Sequence, residues 1–207
     1  MGQKFVMQDT LHRGMIELGL TPDETKINKL LSYMVLLKKW NKTFSLTSIT
    51  DFEQIIIYHL LDGLTTISYI NEFDSILDIG SGMGVPGIII AIWYPDKKVS
   101  LLDSNHKKTA FLKQVVIELG LSNVDIICSR VESYNPIIPY DLAISRAFSN
   151  SKLFIDLAKH LVRGVLMLMK SIKIEDETDQ ILNYKYNIIE LNLPFCMDKR
   201  YLLEIEI

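Results

Sequence analysis

Cysteine is scarce in this chain, and the two residues present are scattered. Cys128 and Cys196 lie far apart, and neither belongs to a Cys-x-x-Cys pair. A disulfide framework and a thiolate zinc site of the usual spacing are therefore excluded, and both residues read as reduced core positions. No apolar run approaches the ~20 residues of a membrane span. The start, MGQKFVMQDT, lacks the apolar stretch of a secretion signal, and Val6 spoils a myristoylation signal. The expectation is a cytoplasmic protein with no membrane partner. A basic excess is missing as well: 22 Lys and Arg stand against 25 Asp and Glu, a net charge of −3. Any nucleic-acid face must then be a local patch, for which Lys107, Lys108, Lys113, Lys152 and Lys159 are candidates beside the plainer reading of solvated helix faces. Repeats, low-complexity tracts and linkers are also lacking. What is there, 207 residues with 48% apolar and 23% charged, suffices for one sizeable core.

The first 70 residues read as helices. Leu11, Met15, Ile16 and Leu18 suggest a short helix ending at Gly19. Thr21-Pro22-Asp23-Glu24 reads as an N-cap, a first-turn proline and first-turn acids. The helix it opens carries Ile27, Leu30, Leu31, Met34, Leu36 and Leu37 at helical spacing and runs through Trp40. Asp51 and Gln54 resemble a capping box for a third helix through about Ile70. From 71 to 207 short apolar runs (75–79, 99–102, 124–128, 142–144, 165–169) alternate with amphipathic stretches such as 107–119 and 151–161. That alternation predicts an α/β fold with a parallel sheet between helices. The runs 187–193 and 201–207 are too closely joined to pair in any way but antiparallel. A doubly wound, mostly parallel seven-stranded sheet closed by an antiparallel hairpin is the outline of the methyltransferase variant of this fold. The expected division is 1–70, a helical segment packing on the rest, and 71–207, the cofactor-binding domain.

Ile76-Leu77-Asp78-Ile79-Gly80-Ser81-Gly82-Met83-Gly84-Val85-Pro86-Gly87 is the strongest local signal. It reads as a buried strand, a glycine turn and a helix start marked by Pro86. Glycines there let the backbone turn sharply and let a ligand approach the main chain. Gly82-x-Gly84-x-x-Gly87 also fits a dinucleotide pattern, which alone is weak. The acid at the strand tip, Asp78, repels a pyrophosphate and suits a ligand bearing an ammonium and a sulfonium, so S-adenosylmethionine is favoured over NAD. Asp103 ends the next strand, 25 positions on. It can accept from both ribose hydroxyls of either cofactor, with Ser104 as the cap of the following helix. Val131 and Glu132 come after the third strand, where an adenine would be flanked; Glu132 reads equally as a solvated acid.

The fourth strand ends Ala143-Ile144-Ser145-Arg146-Ala147. It has no Asn/Asp-Pro-Pro-aromatic motif of an exocyclic-amine methylase, and neither cysteine is well placed for nucleophilic attack on a pyrimidine. A target that is already nucleophilic remains. Guanine N7 has a free lone pair and no proton to lose, so positioning and desolvation suffice. Arg146 at a strand end suits gripping a base edge or a phosphate. His59 and Asp62, three apart on a helix, share a face, as a surface pair or a site pair. Trp40-Asn41 and Leu46-Thr47 mark a helix exit, read as packing plus a cap at Thr47 or Ser48.

From about residue 30 to 170, with an echo near Arg200, the chain resembles the RsmG (GidB) family of bacterial 16S ribosomal RNA guanine-N7 methyltransferases. The matching residues are Trp40-Asn41, Leu46-Thr47-x-Ile49, His59-x-x-Asp62, the loop from Asp78 to Gly87, Asp103-Ser104-x-x-Lys107-Lys108-x-x-Phe111-Leu112, and Ser145-Arg146-Ala147. The resemblance implies S-adenosylmethionine as cofactor, with Gly80, Val85, Val131, Glu132 and Arg146 touching it. It implies His59 and Asp62 facing the active site, and 16S ribosomal RNA or the small ribosomal subunit as partner of a monomer. Arg146 thus has two compatible jobs, one toward cofactor and one toward substrate. The chain departs from the family pattern at Ser45 (Asn there), Gly63 (Ser) and Ser171 (Gly). Rival readings are a methyltransferase of the same fold acting on a small molecule or protein, a non-catalytic ribosome-assembly protein, and an NAD-dependent oxidoreductase. Asp78 and the terminal hairpin disfavour the last.

Overall fold

Burial on both faces explains why the apolar runs become strands. In the computed structural model, which describes residues 2–171 and 178–207, seven strands pair in the order β3-β2-β1-β4-β5-β7-β6. They are β1 (Ser75–Ile79), β2 (Lys98–Asp103), β3 (Val124–Cys128), β4 (Tyr140–Ser145), β5 (Val162–Lys170), β6 (Tyr186–Leu191) and β7 (Arg200–Glu206). The first five run parallel, and β7 runs antiparallel to both β5 and β6. In β5, Met167 and Met169 pack into one core while Leu166 and Leu168 pack into the other. That two-residue period, apolar on both sides, is what a strand inside a covered sheet requires.

Three helices of the sheet region, α6 (Gly87–Trp93), α7 (His106–Leu119) and α8 (Ser151–Ala158), come after β1, β2 and β4. Preceding them are α1 (Gly2–Glu17), α2 (Glu24–Phe44), α3 (Phe52–Ile55), a π-helical turn over Ile56–Leu61, α4 (Asp62–Leu64) and α5 (Ile67–Ile70). Helix α2 lies against α6 and α7, and α4 against α6. Leu11, Leu30, Met34 and Leu60 therefore share one apolar core with Ile88, Phe111 and Ile144 of the sheet region, while α8 builds the opposite core through Phe154 and Ile155. Among the described residues no helix is long and apolar enough to cross a membrane. Residue 1, part of the lipidation reading, lies outside the described chain.

Several sequence expectations need correction. The first helix begins far earlier than Leu11. Asp23, not Thr21, caps α2, because its carboxylate accepts from the Lys26 amide at 2.8 Å. Asn105, not Ser104, caps α7 by accepting from the Lys107 amide at 2.9 Å. Asp51 does cap α3, accepting from the Gln54 amide, but the helix is interrupted by the π turn and again before α5. Thr47 caps no helix. Cys128 is exposed rather than core, since β3 is an edge strand, and Cys196 is half-buried. At Ser45, the C-cap of α2, φ is 49°, a left-handed conformation that Asn adopts readily, which fits the family's usual residue. At Gly63 an added Cβ would stand 2.3 Å from Ile89 Cδ1, so here Ile89 fills the space a Ser would need.

One hydrogen bond ties the N-terminal helices to the glycine turn: Tyr33 Oη of α2 donates to the Met83 carbonyl at 2.7 Å, and both residues are buried. Tyr33→Phe leaves that carbonyl unpaired and is expected to lower stability by ~1–3 kcal/mol. Denaturant unfolding should show a lower midpoint at unchanged slope.

Candidate active site

The turn after β1 is fixed by backbone geometry and by two carboxylates. Gly80, Gly82 and Gly84 have φ of 71°, 58° and 100°, positions that L side chains adopt only with strain. The Gly80 and Ser81 amides donate to the Leu102 carbonyl at 2.8 and 3.1 Å, joining the tips of β1 and β2. Asp78 accepts from the Gly87 amide at 2.9 Å through one oxygen; its other oxygen is buried with no partner. Burial pushes the Asp78 carboxyl up from 3.8 to about 7. Asp103 accepts from the Gly82 amide at 2.9 Å and the Asn105 amide at 2.8 Å, with Lys108 Nζ 3.7 Å away. Each of its oxygens keeps a lone pair for a ligand hydroxyl.

A cavity of about 300 Å³ opens where these tips meet, lined among others by Gly80, Asp103, Lys108, Val131, Glu132 and Ala147. Of the expected cofactor residues, Gly80, Asp103, Val131 and Glu132 line it. Asp78, Gly82, Gly84, Val85 and Arg146 do not. Asp78 and Val85 are buried behind the turn, and Arg146 belongs to a second cavity of about 260 Å³ with Tyr58, Asp62, Lys170, Arg200 and Tyr201. The segment from Ser145 to Phe148 is the partition, since Arg146 lines one cavity and Ala147 and Phe148 the other. Ser145 Oγ holds it in place, donating to the Ile79 carbonyl at 2.6 Å and accepting from the Ala147 amide at 3.1 Å.

The π turn supplies the far wall. The Asp62 amide donates to the Ile57 and His59 carbonyls, skipping the Tyr58 carbonyl four residues back. That freed acceptor takes Arg146 Nη1 at 3.2 Å and faces His59 Nδ1 at 2.8 Å. A π turn leaves such a carbonyl outside the helix ladder. Asp62 itself is buried between two guanidiniums: Oδ2 lies 3.0 Å from Arg146 Nη1 and Oδ1 lies 3.3 Å from Arg200 Nε. His59 Nε2 lies 2.9 Å from Thr47 Oγ1. Thr47 also accepts from the Ile49 amide, and Asn41 clamps Thr47 through its carbonyl and its amide. Burial, with Arg146 beside it, holds the His59 imidazole down at about 4, so it is neutral at pH 7. The bonding pattern assigns its proton to Nδ1, with Nε2 accepting from the Thr47 hydroxyl.

The structure brings His59, Asp62 and Arg146 together and sets Tyr58, Lys170 and Arg200 beside them, residues to which sequence reasoning gives no role. The echo near Arg200 was the available signal. Thr47 and Asn41 prove to be braces for His59. Of the basic candidates, Lys108 reaches the first cavity, Lys152 is paired with Asp156 at 2.6 Å, and Lys107, Lys113 and Lys159 are exposed.

Residues 26–203 match the family described as GidB, rRNA small subunit methyltransferase G. The chain belongs to this family. A ribosomal RNA small subunit methyltransferase G of Hydrogenovibrio crunogenus is 42% identical over 192 residues, covering 91% of this chain and 88% of that one. The protein of the same name from Laribacter hongkongensis is 38% identical over 203 residues, 96% and 98% of the two chains. Among solved structures, magnesium protoporphyrin IX methyltransferase from Synechocystis PCC 6803 with bound SAM superposes with a TM-score of 0.63 at 13% identity, covering 84% of this chain and 96% of that one. A SAM-dependent methyltransferase from Aquifex aeolicus gives 0.60 at 16% identity, with 79% and 97% covered. At those identities the likeness is one of fold, that of the S-adenosylmethionine-dependent methyltransferases. In this member of the GidB family the first cavity fits that cofactor: its floor is bare backbone at Gly80, Asp103 offers paired acceptors for a ribose, and Asp78 behind the turn holds an unpaired oxygen.

Two buried groups of this site pull stability in opposite directions with pH. Asp78 holds its proton more tightly folded than unfolded. Its contribution is full below pH 3.8 and lost as the pH rises to about 7. His59 does the reverse, contributing fully above pH 6.5 and losing that contribution as the pH falls to about 4. Between pH 4 and 6.5 the two oppose each other. Asp78→Asn should make stability rise more steeply with pH than in the wild type, and His59→Gln less steeply, each by up to about 1.4 kcal/mol per pH unit. Denaturant unfolding across that range measures both slopes.

Proposed function

We propose that this protein methylates N7 of one guanine in small-subunit (16S) ribosomal RNA, using S-adenosylmethionine and no general base. The observation that carries the reading is the thin β4 partition between a cofactor-sized cavity and a second cavity lined by Arg146 and Asp62. A transfer reaction needs its donor and acceptor held within about 3–3.5 Å of each other, and the adjacency of the two cavities at the Arg146–Ala147 step supports such a placement. Gly80, Asp103, Val131 and Glu132 hold the cofactor, with Asp78, Gly82, Gly84 and Val85 shaping the turn that carries them. The cofactor supplies an electrophilic methyl group when bound. Arg146 carries substrate contact at the partition and orients Asp62. Asp62 faces the base and stabilises the positive charge that grows on a guanine alkylated at N7. His59 is neutral with both ring nitrogens engaged, so it positions the Tyr58 carbonyl and, through it, Arg146. A target with no proton to lose suits a site that has no base to spare. Residues 1–70 are a helical segment packing on 71–207, the S-adenosylmethionine-binding domain, of a monomer working in the cytoplasm.

Two experiments test the reading. In a thermal-shift titration S-adenosylmethionine should stabilise the protein, by roughly 2.7 kcal/mol at a hundredfold excess over its dissociation constant, and NAD should not. Gly80→Ala should abolish the shift, since its Cβ would stand 2.8 Å from Ala147 Cβ. Stabilisation by NAD alone would overturn the cofactor assignment. In single-turnover methylation of 16S ribosomal RNA, mass mapping should find one new 7-methylguanine. Arg146→Ala should lose ~10²–10³ in rate, while His59→Gln keeps measurable activity. A rate that tracks deprotonation of one group near pH ~6.5 and vanishes in His59→Gln would reveal a true base and a different target atom.

A further inference from the structure

The second cavity holds more positive charge than contact with a neutral base requires. Arg146, Lys170 and Arg200 line it, and among its lining residues Asp62 is the one acid. Lys170 Nζ donates to the Ser149 carbonyl. The two arginines are held differently. Arg146 is fixed at 3.2 and 3.0 Å to the Tyr58 carbonyl and Asp62, both parts of the π-turn segment. Arg200 opens β7, directly after the loop that carries Phe195 at a φ of 62°. Its Nε reaches Asp62 at the longer distance of 3.3 Å and one Nη reaches the Lys199 carbonyl at 3.1 Å. Its other Nη donates to nothing among the described residues. The Tyr58 ring lies 5.9 Å from its Cζ, a flat surface along which the guanidinium can slide. A planar fork with an unspent edge, lining a cavity with excess positive charge, has the shape and charge that bind phosphate.

A guanine methylated at N7 is a cation, and a cavity already rich in cations opposes its formation. An anion brought in with the substrate removes that opposition, and the anion every RNA nucleotide carries is its phosphodiester. We propose that Arg200 is the phosphate-binding residue of this site. On RNA binding its guanidinium exchanges the Asp62 oxygen for a phosphodiester next to the target guanine, and the released carboxylate oxygen turns to the base. Arg146 keeps Asp62 in place during the exchange. This rests on the reading that the target nucleotide enters the second cavity.

The test compares full-length wild type, Arg200→Gln and Arg200→Lys by three measurements: the thermal shift with S-adenosylmethionine, the salt dependence of binding to 16S ribosomal RNA, and KM and kcat for its methylation. Arg200→Gln should keep the cofactor shift and raise KM for RNA roughly tenfold. Its slope of log affinity against log salt should fall by about 0.7, the share of one single-strand phosphate contact. Arg200→Lys should retain the wild-type slope. An unchanged slope in Arg200→Gln overturns the proposal, including the case where kcat falls, because Arg200 then serves the base or Asp62. Loss of the cofactor shift in both variants also overturns it, by assigning the residue to the fold. Failure of the wild type to methylate guanine N7 would instead refute the proposed function, and the salt slopes would still decide the role of Arg200.

Discussion

At the C-terminal edge of the sheet, β1 and β4 lie side by side while the chain leaves them toward different helices. The two departing segments almost touch: a side chain at Gly80 would collide with Ala147, and the Ser145 hydroxyl bridges to the Ile79 carbonyl. This close approach at a topological switch point is the constraint on which the site depends. It keeps the partition between the two cavities one strand tip thick. It also couples the glycine turn to the Ser-Arg-Ala segment, 66 residues apart at Ile79 and Ser145: a Cβ at Gly80 would stand 2.8 Å from that of Ala147.

Around that partition the protein keeps three buried ionisable groups in three different ways. Asp62 stays beside two arginines, Asp78 is half satisfied and drawn toward its neutral form, and His59 is uncharged and bonded at both nitrogens. None of these arrangements is a strong source of stability, because taking charge out of water offsets most of what a partner returns. Their opposed responses to pH, from Asp78 and His59, leave the folded state less sensitive to mild acid than either group alone would. Stability comes instead from apolar contacts such as those of α2 with α6 and α7, and of α1 with α2 and the π turn.

How much of this was legible in the sequence depended on the range of the interaction. The glycine turn and Asp103 emerge from patterns a few residues long, and the parallel sheet with its terminal hairpin emerges from the spacing of apolar runs. Capping was misread by one or two residues: Thr21 and Ser104 could each serve, but the side chains that reach the amides are those of Asp23 and Asn105. The π turn left no mark, since Ile56, Leu60 and Leu61 are apolar at spacings that a regular helix shares. Arg200 was hardest to see, because its partner Asp62 lies 138 residues away and nothing local distinguishes it from a solvated arginine beside Lys199. Cys128 misled because apolar character usually means burial, and an edge strand breaks that rule.

The π turn also bears on how this protein could be improved or damaged. A π turn amounts to one residue too many in an α-helix, and the surplus interrupts the hydrogen-bond ladder that an ordinary helix would complete. Deleting one residue among Ile56–Leu61 would restore a regular ladder and rotate the chain before the deletion by about 100° relative to the chain after it. Asp62 would then keep its place while Thr47 and the helix that braces His59 turned away from it. The repaired molecule would also lose the freed Tyr58 carbonyl that receives Arg146. The irregularity is thus written into the length of the chain, out of reach of any single side-chain exchange.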